Sequence, residues 1–223
     1  MGFLDDLKRD ADAARALQTR DTSTLERNAA LAELVCKTAA AYFFSLAQQL
    51  DVLKPVSPTT FTLDRQHRFS GLRLTDFKVD SRRKPWQGQD VFDHVIVHWL
   101  LRSNQKLQID KDFPTEIDKL ESRLRQSGAR FDSEAIRHPG NGKLQLMRYN
   151  VAADFRGHVR LTPDHDAGRL QFQVANIDGF ETVTADFPAH EISNARLDEL
   201  ARWLVGQPSS VLHGAQPLRR VEA

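Results

Sequence analysis

Apolar and polar residues alternate almost strictly from Leu144 to Phe187. A period of two residues predicts β-strands with one buried side and one solvent-facing side. Turn residues set the limits of these strands, because the segment 138–142 (HPGNG) precedes them and the segment 163–168 (PDHDAG) divides them. We therefore predict three or four antiparallel strands with an apolar inner face and a polar outer face.

The hairpin around segment 163–168 can form in two registers. Pairing Val159 with Leu170 places Arg160 opposite Arg169, and sheets disfavour such a like-charge contact. A shift of two residues removes it and gives the following pairs: Val159 with Phe172, Leu161 with Leu170, Arg160 with Gln171, and His158 with Gln173. We predict this second register.

A helical pattern occupies the N-terminal quarter of the chain. Up to Leu53 the gaps between apolar residues alternate between four and three, which is the heptad spacing of a helix packed along another surface. The residues of this stripe are Leu25, Ala29, Ala32, Cys36, Ala39, Phe43, Leu46, Leu50 and Leu53. Ser23–Glu26 fits a capping box that starts the helix, and Pro55 ends it.

This apolar stripe has two interpretations. In the first, small residues such as Ala32 and Ala39 let the helix approach the chain's own sheet closely. In the second, the stripe joins two copies of the chain into a homodimer through the helix 23–53. Leu31 and Val35 widen the apolar face beyond a narrow seam, which favours burial inside one folded chain.

The remaining pattern completes an α+β domain. Apolar positions two residues apart predict strands between residues 61 and 112, with a bulge near Thr75–Asp76 where the alternation changes parity. Helices are predicted for 115–126 and 194–205, each followed by a terminating glycine. The predicted fold class is α+β, with an antiparallel sheet of about seven or eight strands packed against a long N-terminal Ala-rich helix and two shorter helices.

The same pattern divides the chain into an N-terminal amphipathic helix (1–20), a single α+β domain (21–206) and a flexible tail (207–223). The net charge of +1 argues against a dominant attraction to nucleic acid or to an acidic membrane. The longest apolar stretches are shorter than the ~20 residues of a membrane span, and the start is acidic where a signal peptide is basic. We therefore expect a cytoplasmic protein without a membrane segment. The single Cys36 excludes an internal disulfide and a multi-cysteine zinc site.

Two polar segments are candidates for recognition. The first is a predicted loop in which three cations stand beside a tryptophan: Arg82, Arg83, Lys84 and Trp86. Such cations bind phosphate or carboxylate groups, and the indole stacks on a base or caps a hydrophobic groove. The second is the outer face of the predicted hairpin, whose strands place no carboxylate among Arg156, His158, Arg160, Arg169, Gln171 and Gln173. The competing interpretation of the first segment is an exposed hairpin loop whose Trp folds back over the sheet edge while its cations stay solvated. For the second segment it is an ordinary solvated sheet face.

His94 and His98 have the spacing of metal ligands on a helix. The β-branched residues around them predict a strand instead, in which residues four apart are separated by roughly 13 Å. One ion cannot be shared over that distance without further ligands, so we predict no metal site. We expect structural histidines, and a His-lined pocket is the alternative.

Catalytic motifs are missing from the sequence, which has no nucleophile elbow, no HExxH helix and no Gly-rich nucleotide loop. We therefore expect no cofactor. The first hypothesis is a non-enzymatic scaffold or regulatory protein that acts through protein–protein contacts. The alternatives are a nucleic-acid-binding protein that uses the basic loop and the basic sheet face, and a small-molecule enzyme or sensor with a His-lined pocket.

Overall fold

The computed structural model describes the backbone of residues 3–222 and the side chains of residues 8–12, 15 and 21–221. Its elements in chain order are α1 (Phe3–Leu53), β1 (Phe61–Thr62), β2 (Arg68–Phe69), β3 (Arg73–Trp86), β4 (Gln89–Lys111), α2 (Pro114–Ser127), β5 (Phe131–Arg137), β6 (Leu144–Asp164), β7 (Arg169–Ala175), β8 (Glu181–Pro188), a 3-10 turn (Ala189–Glu191), α3 (Asn194–Leu204) and β9 (Leu218–Glu222). The predicted fold class is confirmed, because a long N-terminal helix and two shorter α-helices accompany a seven-stranded antiparallel sheet.

The sheet is built around β4 and β6, its two longest strands. The strand order is β3–β4–β6–β7–β8–β9, and β5 pairs with the first part of β6. The pairing of β3 with β4 shifts between Thr75 and Lys78, which confirms the predicted bulge. β1 and β2 form a separate two-stranded sheet.

Helix α1 is continuous from Phe3 to Leu53, so the predicted helix start at Ser23 is wrong. A capping box starts a helix only where the preceding residues leave the helical conformation, and residues 3–53 contain no glycine or proline. The expected helix 1–20 is therefore the first part of α1 from Phe3 onward. Its amphipathic character rests mainly on side chains that lie outside the described residues.

The apolar stripe of α1 packs on the inner face of the sheet, as the first interpretation predicted. Ala32, Cys36, Ala39 and Phe43 are completely buried, and the alanines let the helix approach the strands closely. Burial, with a smaller contribution from the charge of Glu33, raises the pKa of the Cys36 thiol to about 12. The thiol is therefore a protonated, unreactive core group.

The part of α1 from Asp21 to Leu53 is long and apolar enough to span a membrane, since an 18-residue window in it reaches a mean hydropathy of 1.4. The core helix of a folded protein and a signal sequence pass the same test, so one such helix is weak support for a span. The 18-residue window reaches this mean hydropathy because uncharged residues also cover the outer side of the helix.

The predicted register of the β6–β7 hairpin is wrong by two residues. Val159 pairs with Val174 and Arg160 with Gln173, and the strands extend to a pair of opposite charge, Asp164 with Arg169. Within the turn, the Asp164 carboxylate accepts hydrogen bonds from the backbone N–H groups of Asp166 and Ala167. From outside the hairpin, the Asn28 amide of α1 donates a hydrogen bond of 2.8 Å to the carbonyl of Asp166.

The predicted flexible tail contains a strand. β9 pairs with β8 along the edge of the sheet, for example Val221 with Thr182. The segment has no apolar alternation of its own because it lies at the edge, where the ladder of backbone hydrogen bonds carries the pairing. The prediction for 207–223 was therefore wrong at Leu218–Glu222.

Candidate functional site

The polar side of the sheet lies opposite the helices. The buried residues of α1, α2 and α3 belong to one core together with inward-facing residues such as Val97 and Val159. Residues of alternate parity face away from this core, and we call their surface the outer face. Its polar and apolar members on β3, β4, β6, β7, β8 and β9 include Lys78, Asp80, Arg82, His94, Ile96, His98, Arg156, His158, Arg160, Gln171, Gln173, Thr182, Thr184, Arg219 and Val221.

The strand register places two imidazoles side by side on the outer face. His98 pairs directly with His158, and Lys78 continues the same row on β3. Arg160 occupies the next row, between Ile96 and Gln173. Cross-strand neighbours on one face have Cβ atoms about 5 Å apart, so this region concentrates cationic and titratable groups.

Both imidazoles of this pair resist protonation. Burial, followed by the positive charges of Arg156 and Lys78, lowers the pKa of His98, and Asp80 opposes the shift. Burial, followed by Arg160, His98 and Arg156, lowers the pKa of His158. Since an ordinary histidine has a pKa near 6.5, both are neutral at pH 7 and become charged only in more acidic solution.

Asp93 joins the outer face to the end of the β3–β4 hairpin. His94 Nδ1 lies 2.8 Å from the Asp93 carboxylate and 3.1 Å from Nη2 of Arg160. Lys84 and Arg160 approach the same carboxylate at 3.6 Å and 3.8 Å. The hydrogen bond with His94, and then the neighbouring positive charges, lower the pKa of Asp93 against the opposing effect of its burial.

The structure does not bring the four candidate residues of the predicted basic loop together. Arg82 pairs with His94 and so joins the outer face. Arg83 forms ion pairs with Glu33 of α1 at 3.1 Å and with Asp90 at 3.2 Å. The segment is the end of a β-hairpin, and its strands direct neighbouring side chains to opposite faces.

The indole of Trp86 does not complete a recognition loop. Its ring lies 5.7 Å from the ring of His165, which is buried beside α1. Trp86 therefore packs against the tip of the β6–β7 hairpin instead of standing free beside the cations. This contact was the competing interpretation of the segment.

The candidate residues of the β6–β7 hairpin differ in their environments. Arg156 is exposed, whereas Arg169 donates a hydrogen bond of 2.5 Å to the carbonyl of Gln216. Gln171 is an outer-face residue paired with Thr162 and Asp186. Among the described residues, four outer-face cations have no carboxylate within ion-pair distance: Lys78, Arg82, Arg156 and Arg219.

Sequence reasoning missed three members of this surface. Lys78 and Arg219 belong to strands whose neighbours were unknown, and Asp93 stands at a bulge where Arg82 and Arg83 pair with His94 and Phe92. For Lys78, its parity with Asp80 and Arg82 was an available signal. For Arg219 there was none, because its strand was taken as tail.

The best-formed clefts in the described part of the chain do not include the predicted His-lined pocket. Three clefts are described, and neither His94 nor His98 lines any of them. The largest, about 1060 Å³, lies between α2 and the β1–β2 hairpin. Its Lys111 bridges Asp64 at 3.0 Å and Glu116 at 3.4 Å, so these charges satisfy one another.

Metal-ligating side chains are also dispersed. Within the described part of the chain, no group of three or more His, Cys, Asp or Glu residues is placed to hold a metal ion. The outer face therefore remains the strongest candidate, as a broad cationic surface. Comparison with protein-family models, curated proteins and solved structures finds no match, so this surface is judged on its geometry alone.

Proposed function

We propose that this protein is a non-enzymatic binding protein that docks an acidic segment of a partner protein on the outer face of its sheet. The observation that carries this proposal is the set of four outer-face cations without a carboxylate partner, around the neutral pair His98 and His158. A partner carboxylate gains most from cations that are not already neutralised within the chain.

A protein partner fits this surface better than a nucleic acid. Ile96 and Val221 place apolar side chains among the cations, and Asp80 and Asp93 place negative charges there. Nucleic-acid binding without base-edge contacts depends on stacking of bases on free aromatic rings, and the packed Trp86 offers no such ring. A partner segment with alternating acidic and apolar side chains would match both the cations and the apolar residues of this surface.

Charge reversal on the outer face tests this proposal. We expect the double variant Lys78→Glu/Arg156→Glu to bind a fluorescent peptide of alternating Glu and Leu at least about 30-fold more weakly than the wild type, because two attractive contacts become repulsive. Fluorescence anisotropy measures the affinity. Neither side chain has an ion-pair partner among the described residues, so the fold should persist.

The matched control is Lys119→Glu/Lys143→Glu, which makes the same total charge change at two exposed positions, one on α2 and one in the β5–β6 turn. It should leave the affinity unchanged. The proposal fails if the wild type does not bind the peptide, or if the control loses as much affinity as the double variant. A labelled single-stranded DNA of equal charge distinguishes the second candidate, since tighter binding of the DNA with a steep salt dependence would favour nucleic acid.

Binding should also depend on pH through the imidazole pair. His98 and His158 are neutral in the free protein at pH 7 because burial and nearby cations lower the pKa of each. A bound carboxylate raises both pKa values, so the complex takes up protons and the affinity rises as the pH falls from 7 toward 5. We expect about a tenfold gain in affinity over this interval. The variant His98→Gln/His158→Gln should abolish the gain, and an equal gain in that variant would exclude these histidines as its source.

A further inference from the structure

The outer side of α1 carries a second regular stripe, opposite the one buried on the sheet. We call Ala30, Leu34, Lys37, Ala41, Phe44 and Gln48 the outer stripe; their spacing again alternates between four and three. Leu34 and Phe44 are 61% and 59% exposed, unusually high for large apolar side chains at regular heptad positions. Ala30 and Ala41 lie on the same row, which Lys37 interrupts, and exposed apolar residues that cluster on one side of a helix mark a contact surface.

Charge is nearly missing from this side of the helix. Between Asn28 and Leu50 the exposed residues are Ala30, Leu34, Lys37, Thr38, Ala41, Phe44, Ser45, Gln48 and Gln49. Lys37 is the single charged residue among them. A helix that lies on the surface of a domain ordinarily presents several charged residues to water, so the scarcity of charge beside the exposed Leu34 and Phe44 indicates a contact face.

We propose that a second copy of this chain covers the outer stripe, with the two α1 helices antiparallel about a twofold axis that crosses the outer side of the helix at the level of Ala39. This arrangement sets Leu34 of each copy against Phe44 of the other, because the two positions lie equally far from the axis. It also sets Lys37 against Ala41, and Ala30 against Gln48. Every pair then joins a smaller residue to a larger one, which is the complementarity that knobs-into-holes packing requires.

The charges favour the antiparallel pairing over the parallel one. Parallel helices in register would bring Lys37 of one copy against Lys37 of the other, and would stack the two Phe44 rings at one level. The twofold pairing separates the lysines and distributes the aromatic rings. A twofold contact also uses the same surface on both copies and closes upon itself, so it limits the assembly to a dimer.

A second copy also suits the stripe better than a lipid surface does. Helices that lie on membranes carry rows of lysine and arginine beside their apolar face, whereas Lys37 is the single cation among the exposed residues of α1 from Asn28 to Leu50. The 23 residues from Asn28 to Leu50 give about 34 Å of paired helix. That length places the contact at the small end of specific interfaces, so we expect dissociation in the micromolar range.

Light scattering coupled to size exclusion tests the dimer. At concentrations of about 200 µM the wild type should have twice the 25.3 kDa mass of the chain. Phe44→Glu should raise the dissociation constant at least about 100-fold and return the monomer mass, because it buries an unpaired charge in the contact. Phe113→Glu, at an exposed phenylalanine just before α2, is the matched control and should remain dimeric.

Cross-linking tests the orientation. Leu34→Cys and Phe44→Cys proteins, mixed and treated with a short bis-maleimide, should give a linked dimer of one chain of each kind, while either variant alone gives little. The fully buried Cys36 does not interfere. A linked product of equal yield from either variant alone overturns the antiparallel pairing.

A monomeric wild type at about 200 µM overturns the dimer, as does a Phe44→Glu protein that stays dimeric. If the protein is monomeric and cosediments with phosphatidylcholine–phosphatidylserine vesicles, and Phe44→Glu abolishes this cosedimentation, the stripe binds lipid instead. None of these results depends on the acidic-peptide assay, so the two proposals fail separately.

Discussion

Replacing Gly157 with alanine is expected to destabilise the protein by about 3 kcal/mol, because the new methyl group has no space. Gly157 pairs with Trp99 across β6 and β4, and a Cβ there would lie 2.4 Å from Cε2 of the indole. Trp99 is completely buried and stacks on Phe77 with ring centroids 5.8 Å apart, so the ring cannot move aside. Urea unfolding followed by circular dichroism measures the loss.

A double-mutant cycle isolates the cause. Trp99→Leu removes the ring, itself at a cost in stability, and Gly157→Ala should then cost less than about 1 kcal/mol on that background. If the alanine costs as much without the indole as with it, the clash does not explain the loss. Gly157 lies between Arg156 and His158 on β6, whose side chains belong to the outer face.

We expect Glu33→Ala to be the second large effect and to destabilise the protein by about 3 kcal/mol. The reason is that this one carboxylate contacts polar groups of β3, β4 and the β6–β7 turn. It accepts hydrogen bonds from the backbone N–H of Phe92 at 2.6 Å and from Nη2 of Arg83 at 3.1 Å. His165 Nε2 also lies 3.1 Å from the carboxylate. Truncation leaves the buried His165 and the Phe92 amide without this acceptor.

Glu26→Ala is the control for this substitution. Glu26 is an exposed glutamate two turns earlier on α1, and its loss should change stability by less than about 0.5 kcal/mol. Glu33→Gln should fall between the two, since an amide oxygen still accepts the bond from Phe92 but carries no charge for Arg83. Equal losses for Glu26→Ala and Glu33→Ala would show that helix propensity, and not the carboxylate, is responsible.

The local hydrophobic pattern was sufficient to predict the helices and strands that bury one side. The stripe of α1 recurs with the period of a helix, and its residues from Ala29 to Leu50 pack inward. The helix predicted at 115–126 appears as α2, and Gly128 ends it in the left-handed conformation (φ 68°). Each of these outcomes depends on residues within a few positions of one another.

The candidate surface could not be predicted in full, because it is formed by contacts between residues that are distant in the sequence. His98 and His158 meet only because β4 pairs with β6, and Arg219 joins them only because β9 adds to the edge. The basic segment was predicted as one site, yet Glu33 of α1 holds Arg83 while Asp93 holds Lys84. Nothing near Arg83 in the chain indicates that a carboxylate fifty residues earlier neutralises it.

The sequence alone predicted the fold class, the buried stripe of α1 and the apolar side of each strand. These features could be predicted because hydrophobic periodicity is a local property. The tertiary structure decided which distant elements meet, such as Asn28 of α1 with the hairpin turn at Asp166. It also decided which cations keep a free charge, since a carboxylate neutralises whatever the fold brings within about 4 Å. Electrostatic partners are chosen by distance in space, and the order of residues along the chain does not contain that distance.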